Sequence, residues 1–162
     1  MDRAETKEDV MAVISKSLEA TIKAAGELAR KREHSHATLE HLLLALMDES
    51  SAREALEGAG GDSKKLVGVV TNFLDSELGP QVKKGSEVEL SPSFKRVLER
   101  ATIFATYSGK KEVSGSGMLV SMMSERESHA VFFLQEQHVS RYDLFQFILH
   151  GLRKDSSPKM SP

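Results

Sequence analysis

Leu42-Leu43-Leu44-Ala45-Leu46-Met47-Asp48-Glu49 returns, 76 residues later, as Met118-Leu119-Val120-Ser121-Met122-Met123-Ser124-Glu125. Both stretches are short, apolar almost all round and closed by acidic or hydroxyl residues, the pattern of a buried helix ending at a polar turn. Carried backwards, the same spacing pairs Leu18 with Phe94, Ala25 with Ala101 and Leu28 with Phe104. Carried forwards, Leu66 meets Leu144 at a spacing of 78, a slip of two residues within a loop. A period this long marks a duplicated structural unit and not a solenoid of short repeats.

Each copy reads as one long helix followed by three shorter ones. In the first, Val10, Val13, Ile14, Leu18, Ile22, Ala25, Leu28 and Ala29 fall on one face of a long helix. Glu33-His34-Ser35-His36 breaks it, and Thr38 is positioned to cap the apolar helix that follows. Ser51 with Glu54 has the form of a capping box for a third helix ending at Gly58. Asp62 or Ser63 opens a fourth, carrying Leu66, Val69, Val70, Phe73 and Leu74. Ser91-Pro92, an N-cap and a proline in the first turn, starts the second copy. Its long helix carries Phe94, Val97, Leu98, Ala101, Phe104 and Ala105, and three short helices follow, the last capped by Ser140 with Asp143. The expectation is an all-α chain of eight helices in two four-helix repeats related by a pseudo-twofold axis. Residues 10–78 form the first repeat and 91–152 the second, with a linker over 79–90 and tails over 1–9 and 153–162.

The chain has 162 residues, 40% hydrophobic and 28% charged, enough for one domain with a sizeable core. Twenty-two basic and 24 acidic residues leave a net charge of -2, which argues against nucleic acid as the main ligand. Without cysteine there are neither disulfides nor thiolate metal sites. The charged N-terminus lacks the apolar stretch of a signal peptide, and no apolar run approaches the ~18 residues that span a bilayer. A soluble, cytoplasmic protein without membrane contact is expected.

The motifs of catalysis are missing. Gly58-Ala59-Gly60-Gly61-Asp62-Ser63-Lys64-Lys65 is glycine-rich but sits between helices, without the strand that precedes a phosphate-binding loop. Ser114-Gly115-Ser116-Gly117 is not a nucleophile elbow. Of six histidines, His34, His36 and His41 lie closest in sequence, but they lack the spacing of a zinc enzyme. They are weak metal candidates, and neither a metal nor a cofactor is expected. Seven methionines, three of them within 118–123, read as core filling before they read as an adaptable binding surface.

Several blocks resemble the N-terminal domain of Clp/Hsp100 protein unfoldases, the ClpA type above all. They are Ala37-Thr38-Leu39-Glu40-His41-Leu42-Leu43-Leu44-Ala45-Leu46, Ser51-Ala52-Arg53-Glu54-Ala55-Leu56-Glu57 and Ser93-Phe94-Lys95-Arg96-Val97-Leu98-Glu99-Arg100-Ala101, with Ser124-Glu125-Arg126-Glu127-Ser128-His129-Ala130, Val139-Ser140-Arg141-Tyr142-Asp143 and His150-Gly151-Leu152-Arg153-Lys154-Asp155 behind them. They run in order from about Ser17 to Asp155. The resemblance implies a non-catalytic domain of two Clp repeats above an AAA+ ring. Such a domain docks a ClpS-type adaptor that delivers substrates for unfolding and transfer to the ClpP peptidase, and it also touches protein substrates directly.

The family's adaptor contacts carry over onto Glu40 and His41 of the Thr-x-Glu-His motif, onto Ser91 in place of a threonine, and onto Arg96. A further acidic contact falls on Ser35, which has no charge. The related ClpC domain binds phosphorylated arginine through one acidic residue per repeat; Glu40 fills the first position, while Ser116 stands at the second. The resemblance leaves open a stand-alone accessory protein and a direct substrate-binding module.

Overall fold

The computed structural model describes residues 11–154. The expected tail over 1–9, Val10 and the chain beyond Lys154 lie outside them. Among the described residues the order is β1 (Val13–Ile14), α1 (Lys16–Lys31), β2 (His36–Ala37), α2 (Leu39–Leu46), α3 (Ser50–Gly58) and α4 (Ser63–Ser76), then β3 (Glu89–Leu90), α5 (Pro92–Tyr107), β4 (Glu112–Val113), α6 (Gly115–Met122), α7 (His129–Glu136) and α8 (Arg141–His150). The 76-residue spacing separates β1 from β3, α1 from α5, β2 from β4 and α2 from α6 without deviation. The chain is all-α, with four two-residue strands as its only extended pairs among the described residues.

Two sequence expectations need correction. Val13 and Ile14 do not extend α1: they pair in parallel with Glu112 and Val113, and α1 starts only after Ser15, whose side chain accepts from the Leu18 amide. Two β-branched residues ahead of a capping serine satisfy a strand as well as a helical stripe. Nor does Ser51 cap α3. Glu49 does, accepting from the Ala52 N–H at 2.8 Å, because its carboxylate is buried there and Ser51 serves it as a donor. Asp62, Ser91 and Ser140 cap α4, α5 and α8 as expected.

The strands show how the halves interlock. Each β-strand that opens a repeat pairs with the one that follows the long helix of the other repeat: β1 with β4, and β3 with β2. The last two residues of the expected linker, Glu89 and Leu90, thus lie against His36 and Ala37. The third helices cross over as well, α3 packing on α6 and α8, and α7 on α2 and α4. Each spatial lobe is therefore three helices of one repeat and one of the other. The centre is α2 against α6, whose Leu42, Leu43, Leu46, Met118, Leu119 and Met122 are wholly buried. The clustered methionines are core.

The same left-handed backbone recurs in both halves. Glu33 (φ 61°) corresponds to Gly109 (φ 77°), and Gly60 (φ 95°) to His138 (φ 61°), so each repeat meets the steric demand with glycine at only one of the two turns. Among the described residues, no helix is long and apolar enough to cross a membrane.

Candidate functional site

Past α1 the chain turns at left-handed Glu33, whose carbonyl accepts the amides of Gln81 and Val82 at 2.8 and 3.1 Å. The turn drives His34 inward, where its ring meets that of His41 from the first turn of α2. His34 Nδ1 lies 2.9 Å from His41 Nε2, and His34 Nε2 lies 3.3 Å from the Leu78 carbonyl. At the other side of its ring, His41 Nδ1 receives the Thr38 backbone N–H at 2.9 Å. A backbone N–H can only donate, which fixes the direction of the whole chain. His41 accepts at Nδ1 and donates from Nε2 to His34 Nδ1, and His34 passes its Nε2–H to Leu78. The His41 imidazole is neutral in this arrangement.

Burial pushes the His41 pKa down to about 3, and the neighbouring His34 and Arg32 lower it further. The consequence for stability has a definite sign. Below pH 6.5 the unfolded chain protonates this histidine and the folded one does not, so stability is full above pH 6.5 and falls as the pH drops toward 3. By pH 5 the expected loss is about 2 kcal/mol. Urea unfolding at pH 7 and pH 5 measures it. His41→Asn keeps an acceptor for Thr38 and should flatten the dependence; an unchanged slope would reject His41 as its source.

Around this relay is a cavity of about 330 Å³. Ser35, Glu40, His41 and Ser91 line it, four of the five residues expected at the adaptor face. Ser35 is held by Gln81, whose Oε1 accepts from its amide and hydroxyl at 2.8 and 3.1 Å. Ser91 caps α5 through the Phe94 amide at 3.1 Å. The fifth residue, Arg96, does not line the cavity: its guanidinium forks onto Glu125 at 2.8 and 3.1 Å, with Arg100 at 3.4 Å from the same carboxylate.

Glu40, expected as an adaptor contact, is not a free surface charge. It is 8% exposed, and its Oε2 accepts the Ala130 N–H of α7 at 2.8 Å. One buried carboxylate thereby neutralises the positive ends of α2 and α7 where they meet. Across the pseudo-twofold, Glu49 does the same for α3 and α6. It takes the Ser17 and Ser51 hydroxyls at 2.6 and 2.7 Å, and Ser51 in turn receives the Ser116 amide at 3.0 Å. Burial raises the Glu49 pKa, but these donors and the Ala52 amide outweigh it and hold the carboxyl below its usual range.

His34, His36 and His41 also line the cavity, but the facing nitrogens of His34 and His41 are bonded to each other, and His36 Nδ1 lies 2.9 Å from the Ser35 hydroxyl. Among the described residues no three His, Cys, Asp or Glu side chains are arranged to hold a metal ion. Sequence reasoning missed Phe73 and His129, stacked at 4.5 Å between centroids, as well as Leu78 and Gln81. His129 arrives on the exchanged helix α7, and no local spacing signals that exchange.

Beside the cavity, Val69 and Phe132 are 42% and 52% exposed, and Phe133 lies edge-on to Phe73. They continue the apolar surface along α4 and α7.

The comparisons with known proteins agree with this architecture. The family model of the Clp repeat (R) N-terminal domain matches residues 13–137. A ClpA homolog protein of Fuscovulum blasticum is 46% identical over 145 residues, covering 88% of this chain and 18% of that protein, so the chain spans under a fifth of its relative's length. Among solved structures, the Hsp104 N-terminal domain from Candida albicans superposes with a TM-score of 0.73 at 17% identity, over 89% of this chain and 96% of that one. The N-domain of ClpV from Vibrio cholerae gives 0.70 at 19% identity, over 91% and 90%. A complex of the ClpV N-domain with a VipB peptide gives 0.67 at 17% identity, over 93% and 94%. At these identities the structures show the fold alone. With the family model covering the first repeat and the second as far as α7, the chain belongs to the Clp repeat N-terminal domain family.

Proposed function

We propose that this chain is the non-catalytic recognition domain of a ClpA-like AAA+ unfoldase, and that it docks a ClpS-type adaptor at the cavity between α2, α4 and α5. The observation that carries the reading is the convergence of Ser35, Glu40, His41 and Ser91 on that single cavity, in a chain 46% identical to a ClpA homolog. Adaptor-bound substrates would then pass to the AAA+ ring and on to a ClpP-type peptidase. A second reading, direct capture of substrate segments, is favoured by the exposed Val69 and Phe132 beside the same cavity.

Titration against the ClpS adaptor of the same organism tests the first reading. Glu40→Lys is expected to weaken binding tenfold or more, but Glu40 also holds α7, so folding must be checked alongside. Ser35→Glu avoids that ambiguity, since Ser35 sits at the rim and a restored surface ion pair contributes about 0.2–1 kcal/mol. Binding tighter by about 1.4- to fivefold is expected. Identical affinities for wild type and both variants, all folded, would move the docking site elsewhere. No binding to a folded adaptor would discard the adaptor and leave direct substrate capture.

A further inference from the structure

The two repeats share a corner whose charge is inverted between them. In the second repeat, where α6 and α7 end and α8 begins, a cavity of about 450 Å³ opens between Ser124, Arg126, Gln135, Ser140 and Arg141. Met123 and Val139, both nearly buried, give it an apolar side. Seventy-eight positions earlier, Gln135, Ser140 and Arg141 correspond to Glu57, Asp62 and Ser63; 76 positions earlier, Ser124 corresponds to Asp48, and Arg126 falls in the two-residue insertion where one spacing gives way to the other. Three carboxylates and no cation in the first repeat have become two guanidinium groups and no carboxylate in the second.

The charges of the two arginines are unpaired among the described residues: neither Arg126 nor Arg141 has a carboxylate within salt-bridge distance. Arg141 lies over the Phe145 ring, 5.5 Å from its centroid, which orients the guanidinium without neutralising it. The neighbouring acids are already paired: Glu125 with Arg96 and Arg100, Asp143 with Lys154 at 2.9 Å and with the Ser140 amide at 3.2 Å. Glu127 and Glu136 do not line the cavity.

We propose that this corner docks an acidic segment of a partner polypeptide, with Asp or Glu side chains received by Arg126 and Arg141. Guanidinium forks match carboxylates in geometry and hold them by charge-assisted bonds. A carboxylate on an aliphatic stem fits the cavity better than a phosphate does. The apolar side matches the stem, and the Asp143 carboxylate already sets a negative charge at the α8 N-terminus, which disfavours a more highly charged phosphate there. That carboxylate accepts the Ser140 amide, while the Asp143 amide is bonded to the Ser140 hydroxyl.

The test is fluorescence anisotropy at low ionic strength with a labelled Asp-Glu-Leu-Asp-Glu peptide, its Asn-Gln-Leu-Asn-Gln counterpart, and inorganic phosphate as competitor. Saturable binding of the acidic peptide is expected, with a loss of at least tenfold in the Arg126→Gln/Arg141→Gln variant. The variant gives up one exposed contact, that of Arg141 with Phe145, and a melting temperature well above the assay temperature confirms that it is folded. Lys110→Gln/Lys111→Gln removes the same charge from an exposed turn and is expected to change affinity less than twofold. Three results would overturn the proposal: equal loss in the lysine variant, equal binding of the neutral peptide, or arginine-dependent binding of phosphate without binding of the peptide. ClpS-type docking is measured at a different cavity, so failure here leaves that reading untouched.

Discussion

Alanine in place of Phe94 is expected to remove about 4 kcal/mol of stability, and to do so in a single unfolding transition that spans the whole chain. Phe94 sits in the first turn of α5, wholly buried, with its amide held by Ser91. Its counterpart Leu18 is also wholly buried in α1. Truncating either leaves a cavity in a core that cannot close over it without moving α2 or α6. Confinement of the damage to one half would require the halves to be separable, and they are not. Each lacks a strand partner and a helix partner unless the other is folded. The probes are at hand in the sequence. Tyr107 and Tyr142, the chain's two tyrosines, both report on the second repeat, while far-UV circular dichroism reports on every helix. Coincident curves from the two signals, shifted together by Phe94→Ala and by Leu18→Ala, are expected. Separate transitions would refute the interlock.

The second large effect is expected from a far smaller change. Gly115→Ala should cost about 3 kcal/mol, even though alanine favours a helix over glycine by about 1 kcal/mol. A methyl group at residue 115 would land on the carboxylate of Glu49. That carboxylate is 6% exposed and cannot step aside without losing the Ser17 and Ser51 hydroxyls and the Ala52 amide. Overpacking costs about 1–3 kcal/mol, and each lost bond to a buried charge costs about 1.5–3 kcal/mol. Gly26→Ala is the control, because a methyl group there meets open space in the middle of α1. Denaturant unfolding should separate the two variants clearly. Equal stabilities would mean that Glu49 relaxes freely and that the buried N-terminal junction of α3 and α6 is not tightly built.

Much of this architecture was legible in the residues. The return of Leu42–Glu49 at Met118–Glu125 located the duplication, and Ser91-Pro92 placed the start of α5 where the structure has it. Periodicity reports which face of a helix is buried but not what covers it. The exchange of α3 and α7 was therefore invisible, and with it the stacking of His129 on Phe73. The resemblance assigned Glu40 to the adaptor face, and no local pattern showed that it would be buried. It is buried because α7, from the other repeat, brings the Ala130 amide to it. Ser51 and Glu54 had the spacing of a cap, and Glu49 displaced them through contacts with α1 and α6 that no local pattern encodes.

The reciprocal pairing of β1 with β4 and β2 with β3 is the connectivity of a closed two-subunit ring with swapped arms, fused into one polypeptide by residues 79–88. As separate chains, two such halves would find each other at a rate and to an extent set by their concentration. Tethering replaces that dependence with a fixed effective concentration, so the assembled state persists at any dilution. It also releases the sequence from symmetry. A homodimer must present every surface twice, whereas the fused chain can place Asp48, Glu57 and Asp62 at one corner and Arg126 and Arg141 at the corresponding corner of the other repeat, so that the two faces carry opposite charge.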